Sequence, residues 1–216
     1  MENIVVVDYG SSNLRSVAKA LEFVARDGHQ VIISREPEEI LTADRIVFPG
    51  QGAIGDCMQS LKACHLVDAI STCIGTRPFL GICLGLQSLM ARSNEDGGTY
   101  CLNVFPGTVR RFRANAGPAA DGSPRKIPHM GWNKVRWRKS HPLIAGIPSD
   151  TRFYFVHSYY VVPQDDDVIM GETDYIDNFV SALASRKAFA TQFHPEKSAD
   201  AGLQLLRNFL DWDGSA

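Results

Sequence analysis

Pro78-Phe79-Leu80-Gly81-Ile82-Cys83-Leu84-Gly85-Leu86-Gln87 is the stretch that decides the fold. An apolar strand ends in Gly-Ile-Cys-Leu-Gly, and an apolar helix is expected straight after it. That is the thiol form of a nucleophile elbow, a sharp strand-to-helix turn that lifts one side chain out of a sheet. A cysteine in a cramped backbone conformation leaves its neighbours little room for a Cβ, and glycine has none. At a helix N-terminus the sulfur also meets the positive end of the helix dipole, which favours the thiolate. Near the other end of the chain stands His194-Pro195-Glu196-Lys197. His194 and Glu196 are two apart, so on an extended segment both side chains point to one face. Pro195 disfavours helix there. A nucleophile needs a base, and the base needs an orienting group. Cys83, His194 and Glu196 make a complete candidate triad.

Working outward from the elbow, the first half alternates strand and helix. Ile4–Val7 is a short continuous apolar run, as expected of a strand buried on both faces. After the turn Gly10-Ser11-Ser12, residues Leu14, Val17, Ala18, Leu21, Val24 and Ala25 fall on one helical face. Val31–Ile33 reads as a second strand, Glu38–Leu41 as a short helix and Arg45–Phe48 as a third strand, closed by Pro49-Gly50-Gln51-Gly52. Helical patterning over Asp56–Ile74 precedes the elbow strand. This alternation predicts an α/β fold, a doubly wound, mostly parallel central sheet with flanking helices. The second half predicts an antiparallel extension, with short strands at Val109–Phe112, Lys134–Trp137, Phe153–Val156, Tyr159–Val162, Val180–Leu183 and Phe189–Phe193. The Ala-, Gly-, Pro- and Ser-rich stretch 114–125 reads as a mobile surface loop. Leu203–Leu210 predicts a closing amphipathic helix capped near Ser198.

Composition narrows the class. A chain of 216 residues, 44% apolar, buries one substantial core, and nothing demands a second domain, so 1–216 reads as one. A formal net charge of −2 gives no electrostatic case for nucleic acid or an anionic membrane. No apolar run approaches the roughly 18–20 residues needed to span a bilayer. Met1-Glu2-Asn3 lacks the basic stretch of a signal peptide. Five cysteines, at 57, 64, 73, 83 and 101, form no CxxC pair, which fits a reduced cytoplasmic protein and argues against a metal site.

Three motifs together resemble the class I, triad-type glutamine amidotransferases: Pro-Gly-Gln-Gly at 49–52, Gly-Ile-Cys-Leu-Gly-Leu-Gln at 81–87 and Gln-Phe-His-Pro-Glu-Lys-Ser at 192–198. More narrowly, Asp8-Tyr9-Gly10…Asn13-Leu14, Pro128-His129-Met130-Gly131-Trp132-Asn133 and Tyr154-Phe155-Val156-His157-Ser158-Tyr159 resemble the glutaminase subunits of imidazole glycerol phosphate synthases. The likeness runs through nearly the whole chain, in order.

The resemblance implies that Cys83 attacks the side-chain amide of glutamine, His194 moves the protons and Glu196 orients the imidazole. A glutamyl thioester follows and is hydrolysed, with no cofactor and no metal. Leu84 N–H and the Gly50-Gln51-Gly52 loop, with Gln51 N–H as donor, would form the oxyanion hole. Gln87, Glu95, Ser158 and Tyr159 would bind the amino-acid end of glutamine. Gln51 departs from the small apolar residue common at its position, which puts hinge behaviour in question but not a backbone donor. The resemblance also implies a heterodimer with a (β/α)₈-barrel cyclase that consumes the ammonia, bordered by Asn13, Trp132, Tyr154 and Lys197.

Plainer readings stand beside these. A lone cysteine after an apolar strand is usually a small buried hydrophobe, and the flanking glycines with His-Pro-Glu are what reverse that for Cys83. Cys57, Cys64, Cys73 and Cys101 keep the plain reading. His129 and His157 read equally as packing or as shaping the interface or the substrate loop, Trp132 also fits the core, and Lys197 a solvated charge. Three rival functions stand beside this one: a paralogue with the same triad feeding ammonia to another synthase, such as one in an amidated-sugar pathway; a stand-alone cysteine hydrolase or peptidase of the same fold, which would lack the Gln87-type recognition set and the interface motifs; and a scaffold protein with a dead site, which the intact triad disfavours.

Overall fold

The computed structural model describes residues 1–113, 117 and 126–215, so the expected loop at 114–125 lies, apart from 117, outside the described residues. Strand β1 (Glu2–Val7) leads into α1 (Leu14–Val24), β2 (His29–Ser34), α2 (Pro37–Thr42), β3 (Arg45–Gly50), α3 (Ile54–Ala63) and α4 (Leu66–Cys73). The elbow strand β4 (Phe79–Cys83) is followed by α5 (Leu84–Ser88), β5 (Met90–Ser93), β6 (Thr99–Tyr100) and β7 (Phe105–Arg111). Then come β8 (His129–Trp137), β9 (Thr151–His157), β10 (Tyr159–Pro163), β11 (Ile169–Asp174), β12 (Asn178–Ser185), β13 (Ala188–Thr191) and α6 (Ala199–Asp211).

One sheet runs β2-β1-β3-β4-β13-β12-β10-β7-β5-β6, with β11, β8 and β9 branching from β12. The β2-β1-β3-β4-β13 part is parallel throughout. From β13 to β12, β10 and β7 the pairing turns antiparallel. Both halves of the expected architecture are present.

Burial explains why the sheet is covered on both sides. Ile4 and Val6 pack with α1 and α6 residues such as Leu21, Leu205 and Phe209. Their neighbours Val5 and Val7 pack on the opposite side with Ile40, Leu61 and Ile70 of α2, α3 and α4. Alternate side chains of one strand thus feed two separate cores, the reason Ile4–Val7 is apolar without a break.

Four expectations change in detail. The helix expected over Asp56–Ile74 is two helices, broken at Cys64-His65, where His65 takes φ 56°. The helix after the elbow begins as expected but ends at Ser88. It is little more than one turn, so it supplies less dipole to the sulfur than a full helix would. β5, β6 and β11 are strands that the apolar pattern did not mark. Ser198 occupies the N-cap position of α6 without capping it through its side chain. Its hydroxyl donates to His194 O at 2.6 Å and accepts from Tyr154 N at 3.0 Å.

Candidate active site

The elbow is as cramped as the sequence predicts. Cys83 sits at φ 55°, ψ −105°, a conformation L-residues avoid. A Cβ on Gly85 would lie 1.9 Å from the Phe48 carbonyl oxygen, and one on Gly81 3.1 Å from the Ala190 Cβ. β3, β4 and β13 are parallel neighbours, with Gly50 opposite Cys83 and Thr191 opposite Ile82. Their carboxyl ends therefore deliver the glycine loop, the thiol and the His-Pro-Glu segment to one edge, where open α/β sheets place their ligands.

His194 is buried, and its Nδ1 lies 2.9 Å from Glu196 Oε1. A carboxylate only accepts, so Nδ1 carries a proton in either form of the ring, and Nε2 is the atom that takes up or releases the second one. Nε2 is buried without a hydrogen-bond partner among the described residues. Burial alone would lower the His194 pKa, but the Cys83 sulfur and the Glu196 carboxylate outweigh it and raise the value to about 10. A strongly basic imidazole beside a thiol is what proton removal from sulfur requires. The His194 backbone is fixed as well, its N–H donating to Tyr154 O at 2.9 Å.

Cys83, His194, Gln51, Gly52, Leu84, Gln87, Glu95, Ser158 and Tyr159 line a single cavity of about 290 Å³. Of the expected site residues in the loop, only Gly50 stays behind the wall. Its Cβ would meet Tyr9 Oη at 2.4 Å and Leu84 Cβ at 2.8 Å, so glycine is required for the close approach. Gly52 takes φ +96°, and the Gln51 side chain bonds the Ser12 hydroxyl. Glu95 Oε2 accepts from Ile54 N at 2.9 Å; burial raises its carboxyl pKa against that bond. Gln87 Nε2 donates to Tyr159 O and to Gln192 Oε1, both at 3.1 Å, leaving Oε1 as what Gln87 has to offer a ligand.

His157 also lines the cavity, and its ambiguity resolves into a wired pair. His157 Nδ1 donates to Tyr159 O at 2.7 Å, so its Nε2 accepts from His129 Nδ1 at 3.0 Å. Burial lowers the pKa of His129 to about 4 and that of His157 to about 3, so both are neutral near pH 7.

The expected interface residues lie outside the cavity. Trp132 is 49% exposed, Met130 62% exposed, and the half-buried Tyr154 meets Trp132 edge-on at 6.2 Å. Lys197 is exposed, whereas Trp137 rather than Trp132 packs in the aromatic core. Asn13 turns inward, donating from Nδ2 to Glu196 Oε1 at 2.7 Å. The segment expected to be extended at 194–196 is instead a 3₁₀ turn over Pro195–Lys197, with His194 just before it, so the turn and not strand alternation brings Glu196 to His194. Sequence reasoning missed the roles of Ser198 and Gln192.

A family model described as glutamine amidotransferase class-I matches residues 5–212. The chain is 51% identical over 214 residues to the imidazole glycerol phosphate synthase subunit HisH of Nitrosococcus oceani, covering 99% of both chains. It is 50% identical over 212 residues to the protein of the same name from Aromatoleum aromaticum, covering 98% of this chain and 99% of that one. Its fold is similar to a crystal structure of a glutamine amidotransferase, with a TM-score of 0.70 at 18% identity over 96% of this chain and 97% of that one. It is also similar to a chain of PurLQS from Thermotoga maritima, with a TM-score of 0.70 at 15% identity over 97% and 98% of the two chains. With its thiol on the elbow, its imidazole held by a carboxylate and its length matched almost from end to end, this chain belongs to the class I glutamine amidotransferase family.

Proposed function

We propose that this chain is the glutamine-hydrolysing subunit of an imidazole glycerol phosphate synthase and works in histidine biosynthesis, as the names of relatives about half identical over its full length indicate. The observation that carries the chemistry is the Nε2 of His194, buried beside Cys83 in a cavity and left without another partner among the described residues. His194 Nε2 takes the thiol proton, and the sulfur attacks the side-chain amide carbon of glutamine. The tetrahedral oxyanion accepts hydrogen bonds from Leu84 N–H and Gln51 N–H. Collapse breaks the C–N bond, and His194 returns the proton to the departing ammonia. Water, deprotonated by His194, then cleaves the thioester to glutamate and regenerates the thiol.

Glu95, Ser158 and Tyr159 all line the cavity, and in this reading Glu95 meets the α-ammonium of glutamine while Ser158 and Tyr159 meet its α-carboxylate. The ammonia would pass to a (β/α)₈-barrel cyclase bound as the second subunit. Met130, Trp132 and Tyr154, flanked by Lys197, offer an apolar face beside the triad for it, since large exposed apolar patches mark docking sites. In this reading the whole chain acts as one domain, in the cytoplasm. The test is glutamate release by the purified chain, alone and with a cyclase carrying its nucleotide. A rise on docking, abolished by Cys83→Ala without loss of binding, supports the reading; equal rates with and without the cyclase would favour a stand-alone hydrolase. Histidine-independent growth after loss of the gene would point to a paralogue serving another synthase.

A further inference from the structure

Gln192 stands two residues before His194 on the irregular run that leaves β13, and both residues reach the Cys83 site. Phe193 between them turns away and stacks on Phe153 at 4.1 Å. Gln192 is wholly buried, and its backbone N–H is tied to Ser181 O at 2.9 Å. Its Nε2 lies 3.6 Å from Cys83 Sγ, and its Oε1 lies 3.1 Å from Gln87 Nε2.

Which end of each amide is nitrogen follows from one atom. The Tyr159 carbonyl oxygen only accepts, so the Gln87 atom 3.1 Å from it must be Nε2. The second hydrogen on that nitrogen goes to Gln192, whose facing atom must then be Oε1. What remains of Gln192, the end at the sulfur, is a donor. A carbonyl on β10 thus fixes, through two amides, that Cys83 faces an N–H.

We infer that Gln192 is a sulfur-directed hydrogen-bond donor that favours the thiolate of Cys83 alongside His194. This deepens the glutaminase reading and rests on it. The sulfur has a competing partner of opposite preference. Val156 O, 3.9 Å from Sγ, receives a hydrogen only from the neutral thiol. Gln192 N–H serves both forms but binds the charged one about twice as strongly. With Cys83 only 6% exposed, water offers the anion little in its place. A stabilised thiolate is also a weaker nucleophile, because nucleophilicity falls with basicity at a Brønsted slope of about 0.4–0.5. Removing the donor should therefore leave fewer thiolates, each more reactive.

The test is the rate of Cys83 alkylation by iodoacetamide against pH, in the full chain carrying Gln192→Met, which keeps length and loses the N–H. The Cys83 peptide is followed by mass spectrometry, because the half-buried Cys64 and Cys101 are also free thiols. A tenfold loss of thiolate, offset by the Brønsted gain, predicts a rate about threefold lower on the acid limb and about threefold higher on the alkaline plateau. Crossing profiles support the inference. Superimposed profiles, or profiles scaled by one factor at every pH, overturn it, since a packing change would act on both limbs alike. If Gln192→Met does not fold, Gln192→Asn, whose amide is drawn back by one methylene, carries the same two outcomes. Failure of the glutaminase reading would show separately, as no glutamate from the parent chain with its cyclase, while the alkylation profiles stay readable.

Discussion

Asn13 Nδ2 and His194 Nδ1 both donate to the same oxygen, Glu196 Oε1, at 2.7 and 2.9 Å. The carboxylate that orients the base is itself oriented, by a residue from the loop entering α1. Glu196 Oε2 is buried with no partner among the described residues, so Asn13 is the contact that stops the carboxylate turning. Bonds to charged groups contribute about 1.5–3 kcal/mol. Asn13→Leu should therefore lower kcat for glutamine hydrolysis by about tenfold or more and leave KM unchanged. A rise in KM at constant kcat would show that Asn13 serves substrate binding instead.

Of the two glycines that flank Cys83 at the elbow, Gly85 has the less room. Placing a Cβ 1.9 Å from Phe48 O forces β3 and α5 apart. Gly85→Ala should cost about 3 kcal/mol of stability, at the upper end of overpacking. It should displace Cys83 as well, so activity falls even where the variant still folds. Thermal unfolding within a degree or two of the parent would refute this.

Trp132 is half exposed and separate from the cavity, so its truncation should leave the chain's own stability within about 0.5 kcal/mol. If it anchors the cyclase, Trp132→Ala should weaken docking by about 2 kcal/mol or more, roughly 30-fold in Kd. Titration calorimetry against the cyclase checks the docking half of the statement, and thermal unfolding of the free chain checks the other.

His129, His141 and His157 are held neutral by burial, at about 4, 4 and 3 against an ordinary 6.5. Above pH 6.5 they are neutral in both states and add no pH dependence. As pH falls below 6.5 the unfolded chain takes up protons that the folded one refuses until about 4, so stability drops. Each histidine adds on the order of 1 kcal/mol per pH unit in that window. His194 has the opposite sign: its raised value adds stability that is complete below 6.5 and is lost as pH rises towards 10. Urea midpoints should therefore fall between pH 7 and pH 5. In His141→Phe that fall should shrink by about a third, each variant being compared with its own midpoint at pH 7.

Much of this was legible in local patterns. Unbroken apolar runs such as Ile4–Val7 gave the parallel strands, because a strand buried on both faces has no polar side. Cys83 between two glycines gave the elbow, because the crowding that excludes a Cβ is a local matter. What escaped depended on distant partners. β11 (Ile169–Asp174) carries Gly171 and Glu172 among its apolar residues, and only pairing with β8 and β12 makes it a strand. Ser198 sits at a capping position, yet its hydroxyl is drawn to His194 O and Tyr154 N, which no spacing rule anticipates. Asn13 lies 183 residues from Glu196, and Gln192 109 residues from Cys83, so both contacts exist only once the sheet brings its carboxyl ends together.

The main chain at Tyr154 is committed at both its polar atoms, the carbonyl to His194 and the amide to Ser198, while its ring leans on Trp132. Whatever presses on that outer wall therefore reaches the imidazole through one peptide and one hydrogen bond, with no intervening hinge to absorb the displacement. Natural drift on this face is constrained accordingly: a substitution selected for a new companion would retune turnover in the same stroke, so recognition and rate must evolve together.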